Sequence, residues 1–299
     1  MVVATGFFDG VHLGHRLVIK QLIEAAAVRG VESTVLTFWP HPRNVLQKEA
    51  RELRLLTTLS QKKELLRELG VDHVEVLSFT KDFSVLTAEE YLRDVVVGKY
   101  GGTAILLGYD NRIGCDAKDA DYVARKAEEL GLEVIRAEML PSSYGTAVSS
   151  TKIRGKLAEG DVVAASEMLG YLYSLHGVVV SGNRLGRTIG FPTANMQLYE
   201  PLKLIPANGV YFVNVRTLGR TLYGMCNIGC RPTVNEGNSR SIETNIFGFN
   251  EDIYGLDIEI SFIAKIRDEV RFASLDELSG QLVKDRDTCL TMLGENSQA

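Results

Sequence analysis

The stretch that decides the fold of the first half is Val2-Val3-Ala4-Thr5-Gly6-Phe7-Phe8-Asp9-Gly10-Val11-His12-Leu13-Gly14-His15. A short run from Val2 to Thr5 leads into a glycine-bounded loop. A helical period then begins at Arg16 and stops at Gly30, so the string reads strand, loop, helix. Outward from it the alternation continues. Glu32 to Thr37, His73 to Leu77, Thr103 to Leu107 and Glu133 to Ala137 are strand candidates. Between them lie a helix from Ser60 to Leu69, ended by Gly70, and one opened by the Thr87-x-x-Glu90 capping box. Strands alternating with helices build a parallel sheet, so the first half is expected to be an α/β Rossmann-like sandwich.

After His176 the texture changes. His176 to Ser181, Val210 to Thr217, Thr221 to Ile228 and Leu256 to Arg267 are β-branched runs separated by Gly, Asn and Pro. They predict a mainly β, closed antiparallel barrel. Ser274-x-x-Glu277 announces a C-terminal helix reaching about Met292. The boundary is expected inside the helical stretch Thr151 to Leu172, giving domains 1–168 and 169–299.

Composition bounds the possibilities. The 299 residues, 45% of them hydrophobic, suffice for two domains of roughly 150 residues each. With 33 Lys+Arg against 38 Asp+Glu, net charge −5, there is no broad cationic surface, and no nucleic-acid partner is expected. Cys115, Cys226, Cys230 and Cys289 are too few and scattered for a disulfide framework or a paired zinc motif, which reads as free thiols in a reducing cytosol. No apolar run approaches the ~20 residues of a membrane span, and Met1 to Thr5 has neither the basic flank nor the apolar core of a signal peptide. A soluble cytoplasmic protein without membrane attachment is expected; the sequence leaves its oligomeric state open.

His12 and His15 fall where the first strand gives way to the first helix. The carboxyl edge of a parallel sheet is where α/β proteins bind ligands, and the following helix presents unpaired N–H groups suited to phosphate. Gly10 and Gly14 let the backbone approach closely, and two imidazoles can donate hydrogen bonds to phosphate oxygens. The same pair could instead only cap the helix. Ser149-Ser150-Thr151-Lys152-Ile153-Arg154 puts hydroxyls at a helix N-cap and cations in its first turn, either a phosphate clamp or an ordinary capped helix. In the second half, Gly182-Asn183-Arg184-Leu185-Gly186-Arg187-Thr188-Ile189-Gly190-Phe191-Pro192-Thr193-Ala194-Asn195 places three glycines ahead of a hydroxyl and an amide oxygen. Glycine-rich backbone can cradle phosphates, and those two oxygens are hard ligands fit for Mg²⁺.

These strings resemble a known family. Gly6 to His15, the Pro40-His41-Pro42 turn and Ser149 to Arg154 are similar to the motifs of the nucleotidyltransferase domain of bacterial bifunctional riboflavin kinase/FAD synthetases. Gly182 to Asn195 resembles the riboflavin kinase signature GxxxGRxxGFPTAN, with Pro206 to Tyr211 and Asn227 to Thr233 as further landmarks. The resemblance implies ATP-dependent phosphorylation of riboflavin to FMN, then adenylylation of FMN by a second ATP to FAD and pyrophosphate.

Carried over position by position, it implies Thr193 and Asn195 as Mg²⁺ ligands and Glu243 as general base. His12, His15 and Arg154 would be the catalytic groups of adenylyl transfer. Phe8, Asp9, Gly10, Gly14, Asp110, Arg112, Ser150, Thr151, Gly182, Gly186, Arg187 and Gly190 would bind nucleotide or phosphate, and His41, Asn227 and Arg231 flavin. Several positions depart from the family. Asn111 and Ile113 replace two aromatics, Asn245 stands for His and Gly248 for Asp. Two alternatives therefore stay open: a kinase whose first half only binds nucleotide or flavin, and a flavin-sensing regulator without ATP turnover.

Overall fold

The computed structural model describes residues 1–46, 53–108, 113–138, 148–182, 185–231 and 239–296, apart from the side chains at positions 185, 231, 239, 295 and 296. The chain divides into two compact units, Met1–Ser150 and Thr151–Ala299.

In the first unit β1 (Val2–Thr5), β2 (Ser33–Trp39), β3 (His73–Ser78), β4 (Ala104–Leu107) and β5 (Glu133–Arg136) form one parallel sheet in the order β3-β2-β1-β4-β5. Its helices are α1 (Leu13–Arg29), α2 (Pro42–Leu46), α3 (Leu59–Glu68), α4 (Ala88–Glu90), continued by a π-helical run Tyr91–Lys99, and α5 (Ala120–Glu129). β1 lies between β2 and β4, with Val3 beside Thr34 on one edge and Ile105 on the other. The winding reverses there, and such a switch point leaves a crevice outside the strands' carboxyl ends.

All four β1 residues are buried, as a central strand covered on both faces requires. Val3, Leu36 and Ile105 pack with Leu92, Val96 and Val123 on one face. Val2, Ala4, Val35 and Leu106 pack with Ile19, Leu22 and Leu66 on the other. Gly30, left-handed at φ 63°, ends α1 by donating its N–H to the Ala26 and Ala27 carbonyls. α1 starts at Leu13 rather than at the expected Arg16 because the His12 side chain caps it, which places Gly14 and His15 inside its first turn.

α6 (Ser150–Glu159) starts at the last residue of the first unit, and the rest of it opens the second, followed by α7 (Val162–Leu169). The division thus falls one residue into α6, ahead of the 168/169 boundary expected from the sequence. Within the second unit both helices bury an apolar face: Ile153, Leu157, Val162, Ala165 and Leu169 are buried, and Ala207 donates its N–H to the Leu157 carbonyl at 2.9 Å.

The barrel consists of β6 (Ser174–Val180), β7 (Ala194–Leu198), β8 (Gly209–Thr217), β9 (Arg220–Arg231), β10 (Ser239–Ile246) and β11 (Asp257–Arg267). It closes antiparallel in the order β10-β7-β6-β11-β8-β9. α8 (Leu185–Thr188) joins β6 to β7, and α9 (Leu275–Asn296) follows the last strand. Val210 and Phe212 of β8 pack outward with Cys289 of α9, Met225 and Phe191. The alternate residues Tyr211, Val213 and Val215, all buried, therefore face inward. A buried ion pair locks α9 to β11: the Arg267 guanidinium donates from Nη2 to Asp285 Oδ2 at 2.8 Å and from Nε to both carboxylate oxygens at 3.0 Å.

Candidate active sites

The loop after β1 is held from below. Phe8, Gly10 and Val11 have φ of 53°, 83° and 38°. A β-branched residue at positive φ is strained, so the surroundings must impose the conformation. They do so with buried hydrogen bonds. The Asp9 carboxylate accepts from the Leu56 N–H at 3.0 and 3.1 Å, and from the Thr57 N–H and hydroxyl at 3.1 and 3.2 Å. The Thr57 hydroxyl oxygen in turn accepts the Gly10 N–H at 3.1 Å. Phe8 and Asp9 are both buried; the Asp9 carboxylate faces the loop's own support, while the Phe8 ring lies edge-on to His15 with 5.3 Å between centroids. Ser150, the last residue of the first unit, donates its hydroxyl to the Asp9 carbonyl at 2.9 Å.

At the head of α1, His12 Nδ1 accepts the His15 N–H at 3.3 Å. A ring nitrogen that accepts carries no proton, which assigns the proton of neutral His12 to Nε2. The two imidazoles stack, 3.6 Å between centroids and 18° between planes. Burial, then the neighbouring His12, then Lys62, hold His15 well below the ordinary histidine pKa. His15 is thus a neutral imidazole, a single-proton donor at the N-terminus of a helix. The geometry brings together His12, Gly14 and His15 at one helix end with Gly10 beside them.

His41 lies over the Phe7 ring at 4.1 Å, edge-on at 62°, while its Nδ1 accepts the Arg43 N–H at 3.1 Å. Thr151 and Lys152 are exposed and Arg154 half-buried on the first turn of α6. Asp110, Asn111 and Arg112 lie outside the described residues; Ile113 is buried in the core of the first unit. Sequence reasoning missed Thr57 and Lys62. The latter belongs to a helix that looked polar, yet its spacing to Leu66 and Leu69 sets it on that helix's apolar stripe.

In the second unit, strand pairing assembles the site. Glu243 of β10 stands opposite Asn195 of β7 on one side and Asn227 of β9 on the other. Directly opposed residues share a face, so Asn195, Glu243 and Asn227 form a lateral row across three strands. Asn245, two residues on, donates from Nδ2 to the Pro192 carbonyl at 2.7 Å and fixes the turn that carries Thr193.

Two glycines make that turn possible by close approach. A Cβ on Gly182 would lie 2.3 Å from the Asn195 amide nitrogen, and one on Gly186 2.2 Å from the Phe191 carbonyl oxygen. Gly190 takes φ 82° beside them. Arg187 and Thr193 line a cavity of about 690 Å³ with Val179, Thr244, Phe249 and Tyr254, a volume in the range of small-molecule sites. Thr244 neighbours Glu243 on the strand, so the two point to opposite faces.

Arg231 ends β9, and its side chain lies outside the description. Arg240 was not foreseen. It donates to the Ile205 carbonyl at 2.9 Å, to the Pro206 carbonyl, and to Asn208 Oδ1 at 2.9 and 3.2 Å, strapping the Pro206–Tyr211 segment to β10. Only pairing register, which the sequence conceals, could have found it.

The Thr193 hydroxyl and the Asn195 amide oxygen, the two expected metal ligands, are hard donors of the kind that suits Mg²⁺ better than a soft metal. The room Gly182 leaves around the Asn195 amide is space a Cβ would fill. Among the described residues no cluster of three or more His, Cys, Asp or Glu is placed to hold a metal.

Over residues 1–152 the chain matches the family model described as FAD synthetase, and over 169–293 that of riboflavin kinase. A bifunctional riboflavin kinase/FMN adenylyltransferase of Listeria monocytogenes is 38% identical over 286 residues, 95% of this chain and 90% of that protein. The protein of the same description from Escherichia coli K12 is 37% identical over 98% of this chain and 93% of its own length. A crystal structure described as a macrolide-efflux protein from Streptococcus pneumoniae, 32% identical, superposes with a TM-score of 0.88 over 96% of this chain and 93% of that one. No helix among the described residues is long and apolar enough to cross a membrane.

Proposed function

The chain belongs to the bifunctional riboflavin kinase/FMN adenylyltransferase family, and from that premise we propose how its two units divide the chemistry. The second unit transfers the γ-phosphoryl group of ATP to the terminal ribityl hydroxyl of riboflavin. The first joins the resulting FMN to the adenylyl group of another ATP. Two matched halves support two activities over a kinase with a binding-only partner unit.

The observation that carries the reading is the row Asn195–Glu243–Asn227, which sets a carboxylate between two amides on one barrel face. Glu243 takes the proton of the ribityl hydroxyl as that oxygen bonds the γ-phosphorus and ADP leaves. Thr193 and Asn195 would hold Mg²⁺, which neutralises phosphate charge when bound. Gly182, Gly186, Gly190 and Arg187 shape the phosphate side, and Asn227 with Arg231 the flavin side.

In the first unit an FMN phosphate oxygen attacks the α-phosphorus of ATP and pyrophosphate leaves. The nucleophile is already anionic, so alignment and charge neutralisation suffice without a base. His12 and His15 donate to the phosphates at the N-terminus of α1, where the helix partial charge assists. Ser150, Thr151, Arg154, Asp110 and Arg112 complete the nucleotide side, and His41 reaches toward flavin. The four cysteines are all free, which supports a cytoplasmic setting; no nucleic-acid or membrane partner is proposed.

The test uses the full chain with riboflavin, FMN, ATP and Mg²⁺. His15→Ala is expected to abolish FAD formation, a loss of about 100-fold or more, and to spare FMN formation. Glu243→Ala should do the reverse when FMN is supplied, lowering phosphorylation by about 1,000-fold. Equal loss of both activities from either change would refute separate sites.

A further inference from the structure

Lys62 has 0% relative exposure, and neither reaction as described above employs it. A lysine so enclosed needs partners, because an ammonium taken out of water without hydrogen bonds is costly. Its Nζ donates to the Phe7 carbonyl at 2.8 Å and to Thr37 Oγ1 at 3.1 Å, and lies 3.7 Å from the centre of the Phe7 ring. Thr37 donates its own hydroxyl to the same Phe7 carbonyl at 3.1 Å. Phe7 is therefore gripped by its carbonyl and by its ring at once, and His41 packs against that ring.

We propose that Lys62 is a positioning residue for adenylyl transfer: it fixes the Gly6–Val11 loop and, through Phe7, the His41 ring, and places a positive charge behind the loop where the polyphosphate binds. The inference rests on the role proposed for His12 and His15. Lys62 touches no substrate. It acts through Phe7, through Thr37 and through its field.

The field has a sign and a pH range. Burial lowers the Lys62 pKa to about 8, with the Asp9 carboxylate resisting the shift. The other titratable groups facing it are His15, which its charge helps keep neutral, His12 stacked on His15, and His41 across Phe7. The ammonium is intact below about pH 8 and lost above it. The grip on Phe7 should loosen over the same range.

The experiment measures FAD formation from FMN and ATP by the full chain between pH 6 and 10, with riboflavin phosphorylation as the internal control. In the unaltered protein FAD formation should fall above about pH 8. Lys62→Arg, which keeps its charge throughout, should move that alkaline limb up by a unit or more. Lys62→Met should lower kcat for FAD formation by about 100-fold, flatten the alkaline limb and leave riboflavin phosphorylation unchanged. An unaltered alkaline limb in Lys62→Arg, or FAD formation by Lys62→Met within about threefold of the original, overturns the proposal. If Lys62→Met does not fold, the Lys62→Arg profile alone decides. Absence of FAD formation in the unaltered protein would instead overturn the underlying assignment of the first unit.

Discussion

The two sites are built by opposite strategies. In the first unit one contiguous string, Gly6 to His15, supplies loop, cap and both imidazoles, and Leu56 and Thr57 brace it. In the second unit the row proposed as the phosphorylation site comes from three strands, and β-pairing alone makes Asn195, Glu243 and Asn227 neighbours. A site of the first kind fails when its brace fails. One of the second kind fails when the sheet or its covering helix is disturbed.

Three substitutions sharpen that contrast. The largest expected effect is in the second unit. Asp285, 1% exposed, receives both Arg267 and the Gln281 side-chain amide. Asp285→Ala strands a largely buried guanidinium, which costs about 3 kcal/mol. Thermal unfolding should show the barrel melting earlier, with riboflavin phosphorylation lost on warming before FAD formation from FMN.

Gly182→Ala comes next. Its Cβ, 2.3 Å from the Asn195 amide, must displace that side chain, and KM for ATP in phosphorylation should rise about tenfold, the equivalent of ~1.4 kcal/mol. Unchanged KM would mean that Asn195 has no part in holding MgATP. The smallest effect belongs to the first unit. Thr57→Val removes the hydroxyl shared by Asp9 and Gly10 but leaves the backbone bonds to Asp9, a loss of about 1 kcal/mol. FAD formation should weaken severalfold; a loss as large as that of His15→Ala would show the loop to rest on this one hydroxyl.

Much of this was legible beforehand, for reasons that differ between the units. Val2 to Thr5, Gly30 and the Thr87-x-x-Glu90 box announce their own local geometry, and the strands and stops fall where those signals set them. β2 runs on to Trp39, past the expected Thr37, because Phe38 and Trp39 find partners in Leu77 and Ser78. β7 was invisible as a strand: Ala194 to Leu198 is short, polar at Asn195 and Gln197, and follows turn residues. Only closure between β6 and β10 makes it one. Lys62 and Lys63 are the same residue type side by side, and only the spacing of Lys62 to Leu66 and Leu69 marks it as the enclosed one. Arg240, strapping a distant segment, leaves no local trace.

The alternation along β10 has a last consequence. Ile242, Thr244 and Ile246 are buried, and Glu243 lies between them in sequence on the other face. A slip of one residue would turn the carboxylate to the face of Ile242 and Ile246, and bring those two isoleucines to the face that carries Asn195 and Asn227. The core thus proofreads the proposed base: hydrophobic free energy penalises every misalignment that would misaim Glu243.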